Sequence, residues 1–105
     1  SMYNMFAYCS SLTTTPKFDM ANVTNADFMF NYCTSLTSIP LFDLSSARIT
    51  NAMFNNCYKV EQGALALYNS IKDNPPESYN NMFNMCGRDT QTGAAELAQI
   101  PEEWK

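Results

Sequence analysis

Four cysteines carry most of the reactive potential of this chain. Each closes the same phrase: Met5-Phe6…Cys9, Met29-Phe30…Cys33, Met53-Phe54…Cys57 and Met82-Phe83…Cys86. A cysteine nucleophile needs a base and a lowered pKa. The chain has no histidine, so the commonest general base is missing. Zinc sites pair ligands two to four residues apart, whereas these cysteines stand a full repeat apart. Disulfide scaffolds use irregular spacing and a higher cysteine density. One cysteine at a fixed place per repeat therefore predicts a buried ladder of reduced thiols, packing as small hydrophobes. A disulfide between neighbouring coils is the alternative. Asp19 and Asp43 also occupy equivalent places and would stack one coil apart. Two carboxylates supply too few oxygens for Ca²⁺, and the pair is read as turn caps. The reading is of a non-enzyme, with no catalytic residue, no metal site and no cofactor.

The repeat sets the elements that position these residues. Copies one to three are 24 residues apart and the fourth follows after 29. A period in the twenties is the signature of a stacked-coil architecture. The expected fold is α/β: a small right-handed leucine-rich-repeat-like solenoid of about four coils. Each coil is expected to carry one short parallel strand and one helical turn. The coils run approximately 5–28, 29–52, 53–81 and 82–105, forming a single domain over 1–105. Met5, Phe6 and Cys9 would share one face of a helical turn. Leu12 to Thr15 and Leu36 to Ile39 suit short strands. Ala64 to Lys72 has helical propensity and spacing, which predicts a longer helix in coil three, stopped by Asn74-Pro75-Pro76. Leu97 to Ile100 is read as the last strand, although Ala94 to Gln99 could pass for a helix turn, and Trp104 as an end cap. Phe6, Phe30, Phe54 and Phe83 are expected in one buried column, beside the cysteines.

The chain has 105 residues and a net charge of −4 with only six basic residues, so a nucleic-acid footprint is absent. No apolar run reaches the length of a membrane span. The chain opens inside a repeat, which predicts a piece of something longer. Coil one would then expose Met2, Met5 and Phe6 beside a free strand edge, and a homodimer through that coil is expected.

The stretches Met29-Phe30-Asn31-Tyr32-Cys33-Thr34-Ser35-Leu36-Thr37-Ser38-Ile39-Pro40 and Asn22-Val23-Thr24-Asn25 resemble the BspA-like leucine-rich repeat family, found in surface proteins of gut bacteria and in some phages. The tail, Gly93 to Pro101, is similar to the C-terminal ends of such arrays. The resemblance implies an extracellular or cell-surface module that adheres to a protein or glycan partner. Tyr8 and Tyr32 precede cysteine at the same place; exposed, they would form a tyrosine ladder that suits such recognition, and the alternative is that such rings cover the core. With Thr13, Thr15 and Thr37 on the expected strand face, they form the candidate partner-binding set. The alternatives are a structural C-terminal cap of a longer repeat protein, or a phage-encoded host-recognition protein.

Overall fold

The Met-Phe-x-x-Cys phrase does not form a helical turn. In the computed structural model, which describes the whole chain from Ser1 to Lys105, each copy holds two residues in the left-handed region. These are Asn4 and Tyr8, Phe28 and Tyr32, Ala52 and Asn56, and Asn81 and Met85, all with φ between 54 and 63°. Left-handed residues interrupt a right-handed helix. The backbone instead makes overlapping four-residue turns. In coil two the amides of Met29, Asn31 and Cys33 donate to the carbonyls of Ala26, Phe28 and Phe30. A positive φ at the third residue is what a type II turn requires.

The amides between them leave the coil. Phe28, Phe30 and Tyr32 donate to the carbonyls of Asn51, Met53 and Asn55 at 2.8–2.9 Å. Asn4, Phe6 and Tyr8 donate likewise to coil two, and Ala52, Phe54 and Asn56 to coil four. Alternate amides thus close turns within a coil and lace it to the next. This pattern satisfies the backbone without strand dihedrals. The expected α/β leucine-rich solenoid, with a strand and a helical turn in every coil, is therefore corrected. There is no sheet, only isolated parallel bridges pairing Asn25 with Ile49, Ser38 with Gln62, and Ile49 with Ser78. Leu36 and Ile39 are buried anchors, but neither they nor Leu12 to Thr15 form a strand.

Stacking brings equivalent side chains into register. Met29, Phe30 and Cys33 are fully buried, as are Met53, Phe54 and Cys57. The rings of Phe6, Phe30, Phe54 and Phe83 stack nearly parallel with centroids 5.4, 5.4 and 5.9 Å apart. Phe18 and Phe42 form a shorter second column against the first. Each aromatic pair contributes about 0.5–1.5 kcal/mol beyond its buried area.

Coil three departs from this plan with helix α1, Ala64–Ile71, as its residues predict. Ala64, Leu67 and Ile71 fill the core on its inner face. Gly63, at φ 109°, starts the helix against the backbone of Ile39, where any side chain would strike the Ile39 carbonyl. Helix α2, Gln91–Ala98, takes in Leu97 and Ala98 of the segment read as the last strand, and Gln99 and Ile100 follow it as a turn, so that reading is corrected too. The Thr90 side chain caps it by accepting from the Gly93 amide at 2.9 Å. Ala94, Ala95 and Glu96 are good helix formers, and local propensity prevails over the Leu-x-x-Ile similarity.

A 3-10 turn, Glu102–Trp104, closes the stack. The Phe83 amide donates to the Trp104 carbonyl at 2.9 Å, in the place where Phe54 donates to Met82. The buried indole stacks on Tyr79 at 3.7 Å and meets Tyr68 edge-on at 5.3 Å. Trp104 thus supplies to coil four both an acceptor and an apolar cover.

Candidate interaction surface

Three of the cysteines, Cys33, Cys57 and Cys86, are buried, Cys9 is half-buried, and all four are free thiols. The Cys33 Sγ donates to the Phe6 carbonyl and the Cys57 Sγ to the Phe30 carbonyl, both at 3.1 Å. Each thiol thereby bonds back to the preceding coil. Burial pushes Cys33 up to about 11. Burial foremost, then the neighbouring Cys86 and Cys33, raises Cys57 further; burial and then Glu96 raise Cys86. Raised in this way, the three thiols hold their protons at neutral pH, the opposite of an activated nucleophile. Asp19 and Asp43 accept from the amides of Ala21 and Ser45 at 3.1 and 3.0 Å, so both close turns. Hydrogen bonds from Ser45, side chain first and then amide, hold the Asp43 carboxyl below its ordinary value. No three His, Cys, Asp or Glu side chains converge as a metal site would need.

The tyrosines differ from the thiols beside them. Tyr8 and Tyr32 sit at φ 63 and 60°. Cys9 and Cys33, next in sequence, turn inward while the two phenols turn out. Their rings stack 5.1 Å apart at 7° and are 67% and 37% exposed. Their amides are pinned to Asn31 and Asn55, both at 2.8 Å. Beside them runs an amide ladder: Asn55 donates to Asn31 at 3.0 Å and Asn84 to Asn55 at 2.9 Å. The equivalent place is taken by Asn56, which is buried, and by Met85, which is partly exposed, so the outward aromatic pair belongs to coils one and two alone.

The threonines form a separate group. Thr37 donates through both amide and hydroxyl to the Thr13 carbonyl, at 2.9 and 3.1 Å. Thr15 spends its hydroxyl on the Pro16 carbonyl at 3.0 Å. No hydrogen bond or ring contact joins the threonines to the tyrosine pair. Other exposed apolar residues are Tyr3, Met5, Leu41 and Met85. Leu41 and Met85 escaped the sequence reading, since Leu41 sits between the apolar anchors Ile39 and Phe42 and Met85 stands where coils one and two have tyrosine. Leu41, Phe42 and Asp43 line a shallow cleft of about 320 Å³ with Ser70, Ile71 and Asn74. No helix is long and apolar enough to cross a membrane.

A family profile described as "Mycoplasma protein of unknown function, DUF285" matches residues 1–68, more than half of the chain. The chain belongs to the DUF285 family. The matched part holds coils one and two, the start of coil three and most of α1, and with them the whole tyrosine pair. Helix α2 and the Trp104 cap lie beyond it. Membership in DUF285 agrees with the expectation of a BspA-like repeat at the level of the repeat itself. No curated protein and no solved structure matches the chain.

Proposed function

We propose that this DUF285 protein is a non-enzymatic, surface-exposed interaction module of the BspA-like kind, binding a protein or glycan partner outside the cell. The observation that carries the proposal is the Tyr8–Tyr32 stack. Tyrosine offers a large amphipathic contact area with little conformational entropy to lose, and these two are held by backbone bonds on a rigid stack. Their exposure contributes little to folding, which leaves recognition as the role that suits them. The neutral, hydrogen-bonded thiols favour a scaffold over an enzyme. A binding screen against extracellular matrix proteins and immobilised glycans tests this reading. A partner is expected that is lost on Tyr8→Ser with Tyr32→Ser while the melting temperature holds. Binding unaffected by the double change would remove the tyrosines from the role.

A second reading has its own support. Trp104 completes the backbone pairing of coil four, as a terminal cap must. On this reading the segment after α1 serves folding and solubility. If 1–105 binds nothing in the screen and a longer repeat protein containing it does, the capping role accounts for it.

A further inference from the structure

Coil three breaks the repeat at one place. Its residues 64–71 are the 24-residue equivalents of 40–47 in coil two, but they form helix α1 where coils one and two have a loop. Those two loops stack on one another through the rings of Phe18 and Phe42, 6.4 Å apart. The helix does not continue that stack, and a cleft of about 320 Å³ remains between the loop of coil two and the C-terminal end of α1. Its wall is apolar, with Leu41, Leu44 and Ile71, and its rim is polar, with Asp43, Ser70 and Asn74. Leu41 is 50% exposed there, in the place that Lys17 takes in coil one. The rim is rich in acceptors and has no cation of its own. No lysine or arginine lines the cleft, and Asp43 takes part in no ion pair. Lys17 acts on the Asp43 charge from coil one, beyond ion-pair distance. One oxygen of that carboxylate accepts from the Ser45 amide, and a carboxylate offers about four acceptor positions in all. The Ser70 carbonyl lies past the last helical hydrogen bond and receives none. Helix α1 has no basic residue in its last turn to offset the negative end of its dipole. Asn74 adds an exposed side-chain amide.

We infer that this cleft takes a lysine side chain of a protein partner, its aliphatic stem on Leu41, Leu44 and Ile71 and its ammonium among the Asp43 carboxylate, the Ser70 carbonyl and the Asn74 amide oxygen. Charge complementarity is the argument for this occupant. An apolar wall with a wet, anionic rim is what a long basic side chain needs, since it buries its stem and keeps its head in water. Lysine suits the rim better than arginine. The acceptors are single oxygens on three separate residues, which the donors of one ammonium can reach in different directions. A guanidinium fork matches a carboxylate with both oxygens open, and Asp43 already spends one on Ser45. The net charge of −4 also favours the approach of a basic partner. The cleft shares no residue with the Tyr8–Tyr32 pair and stands independently of the role proposed for it.

The test is an NMR titration of isotope-labelled 1–105 with three end-capped peptides of glycine and serine that carry lysine, norleucine or glutamate at the centre. The lysine peptide should shift the amide signals of Leu41 to Ser45 and of Ser70 to Asn74, and leave those of Tyr8 and Tyr32 in place. The norleucine peptide keeps a stem and lacks the charge, and should bind about threefold more weakly or worse. The glutamate peptide should not bind. In Asp43→Asn the asparagine keeps an oxygen for the Ser45 amide, so the fold should hold while the lysine peptide binds about threefold more weakly. Leu41→Ser, at an exposed position, should weaken it too. A lysine peptide that shifts none of these signals, or that binds no better than norleucine, overturns the inference. So does a folded Asp43→Asn protein that binds the lysine peptide as the parent does. A response confined to Tyr8 and Tyr32 overturns it as well, and would leave the tyrosine pair as the binding site.

Discussion

The stack should fail in alkali, and the thiol ladder should be a measurable part of that failure. Burial raises Cys33, Cys57 and Cys86 above the ordinary value of about 9. Between that value and the raised one, the unfolded chain has released the thiol proton and the native state still holds it. Fewer protons are then bound in the unfolded state, so stability falls as pH rises. The stabilisation is fully present below pH 9. It declines by about 1.4 kcal/mol per pH unit for each such thiol, and for Cys33 the decline ends near pH 11. Three thiols together remove about 4 kcal/mol by pH 10, a large share of the roughly 5–15 kcal/mol typical of a domain. The informative quantity is a difference between two proteins, in which every other alkaline effect cancels. Cys57→Ala should cost about 1–2 kcal/mol at pH 7, from lost sulfur burial, a small cavity and a lost bond to the Phe30 carbonyl. The variant lacks one titrating thiol. Its deficit relative to the parent should therefore shrink by about 1.4 kcal/mol between pH 7 and pH 10. Urea unfolding of both proteins under reducing conditions, at half-unit steps from pH 7 to 10.5, measures this. A deficit that stays constant across the range would show that Cys57 does not enter the fold as a buried neutral thiol.

Phe30→Ala should destabilise by about 3–5 kcal/mol, since Phe30 stacks on Phe6, Phe54 and Phe42 and is fully buried. Phe6→Ala should cost less, because the Phe6 ring is only half-buried, and the two urea midpoints give the order. Met85→Gly should be close to neutral, as glycine relieves a left-handed residue and offsets the loss of a side chain that is 41% exposed; a clear fall in melting temperature would contradict the turn geometry. Trp104→Ala should leave the Phe83 end uncovered, lowering the melting temperature and raising the binding of a hydrophobic dye. Dye binding unchanged from the parent would mean that Trp104 is no cap.

Much of this protein is legible in its residues because the repeat places identical side chains at identical heights. The period alone implies that Phe6, Phe30, Phe54 and Phe83 superpose, and that the cysteines form a ladder of their own. Helix α1 announces itself by Ala and Leu at helical spacing and by the prolines after it. Asp19 and Asp43 declare their turn role through residue type. The tyrosine pair was visible as two phenols one period apart, although their stacking and exposure were not. What the residues could not convey was the backbone state between the apolar anchors. Offsets of three and four suit a helical turn equally well as a train of β-turns, because both return the chain to the same side after three or four residues. The choice rests on left-handed conformations at Phe28, Tyr32, Ala52 and Met85, residue types that rarely adopt them. At Phe28, Tyr32 and Ala52 those conformations persist because the amides they direct outward are taken up by the next coil. The tail shows the same limit from the other side: Leu97 to Ile100 matches a strand of the expected fold, while the Thr90 cap and the helix propensity of 91–98 prevail. Composition and period thus determine which side chains meet, and the hydrogen bonds between coils, formed only once the coils are stacked, determine the path the backbone takes between them.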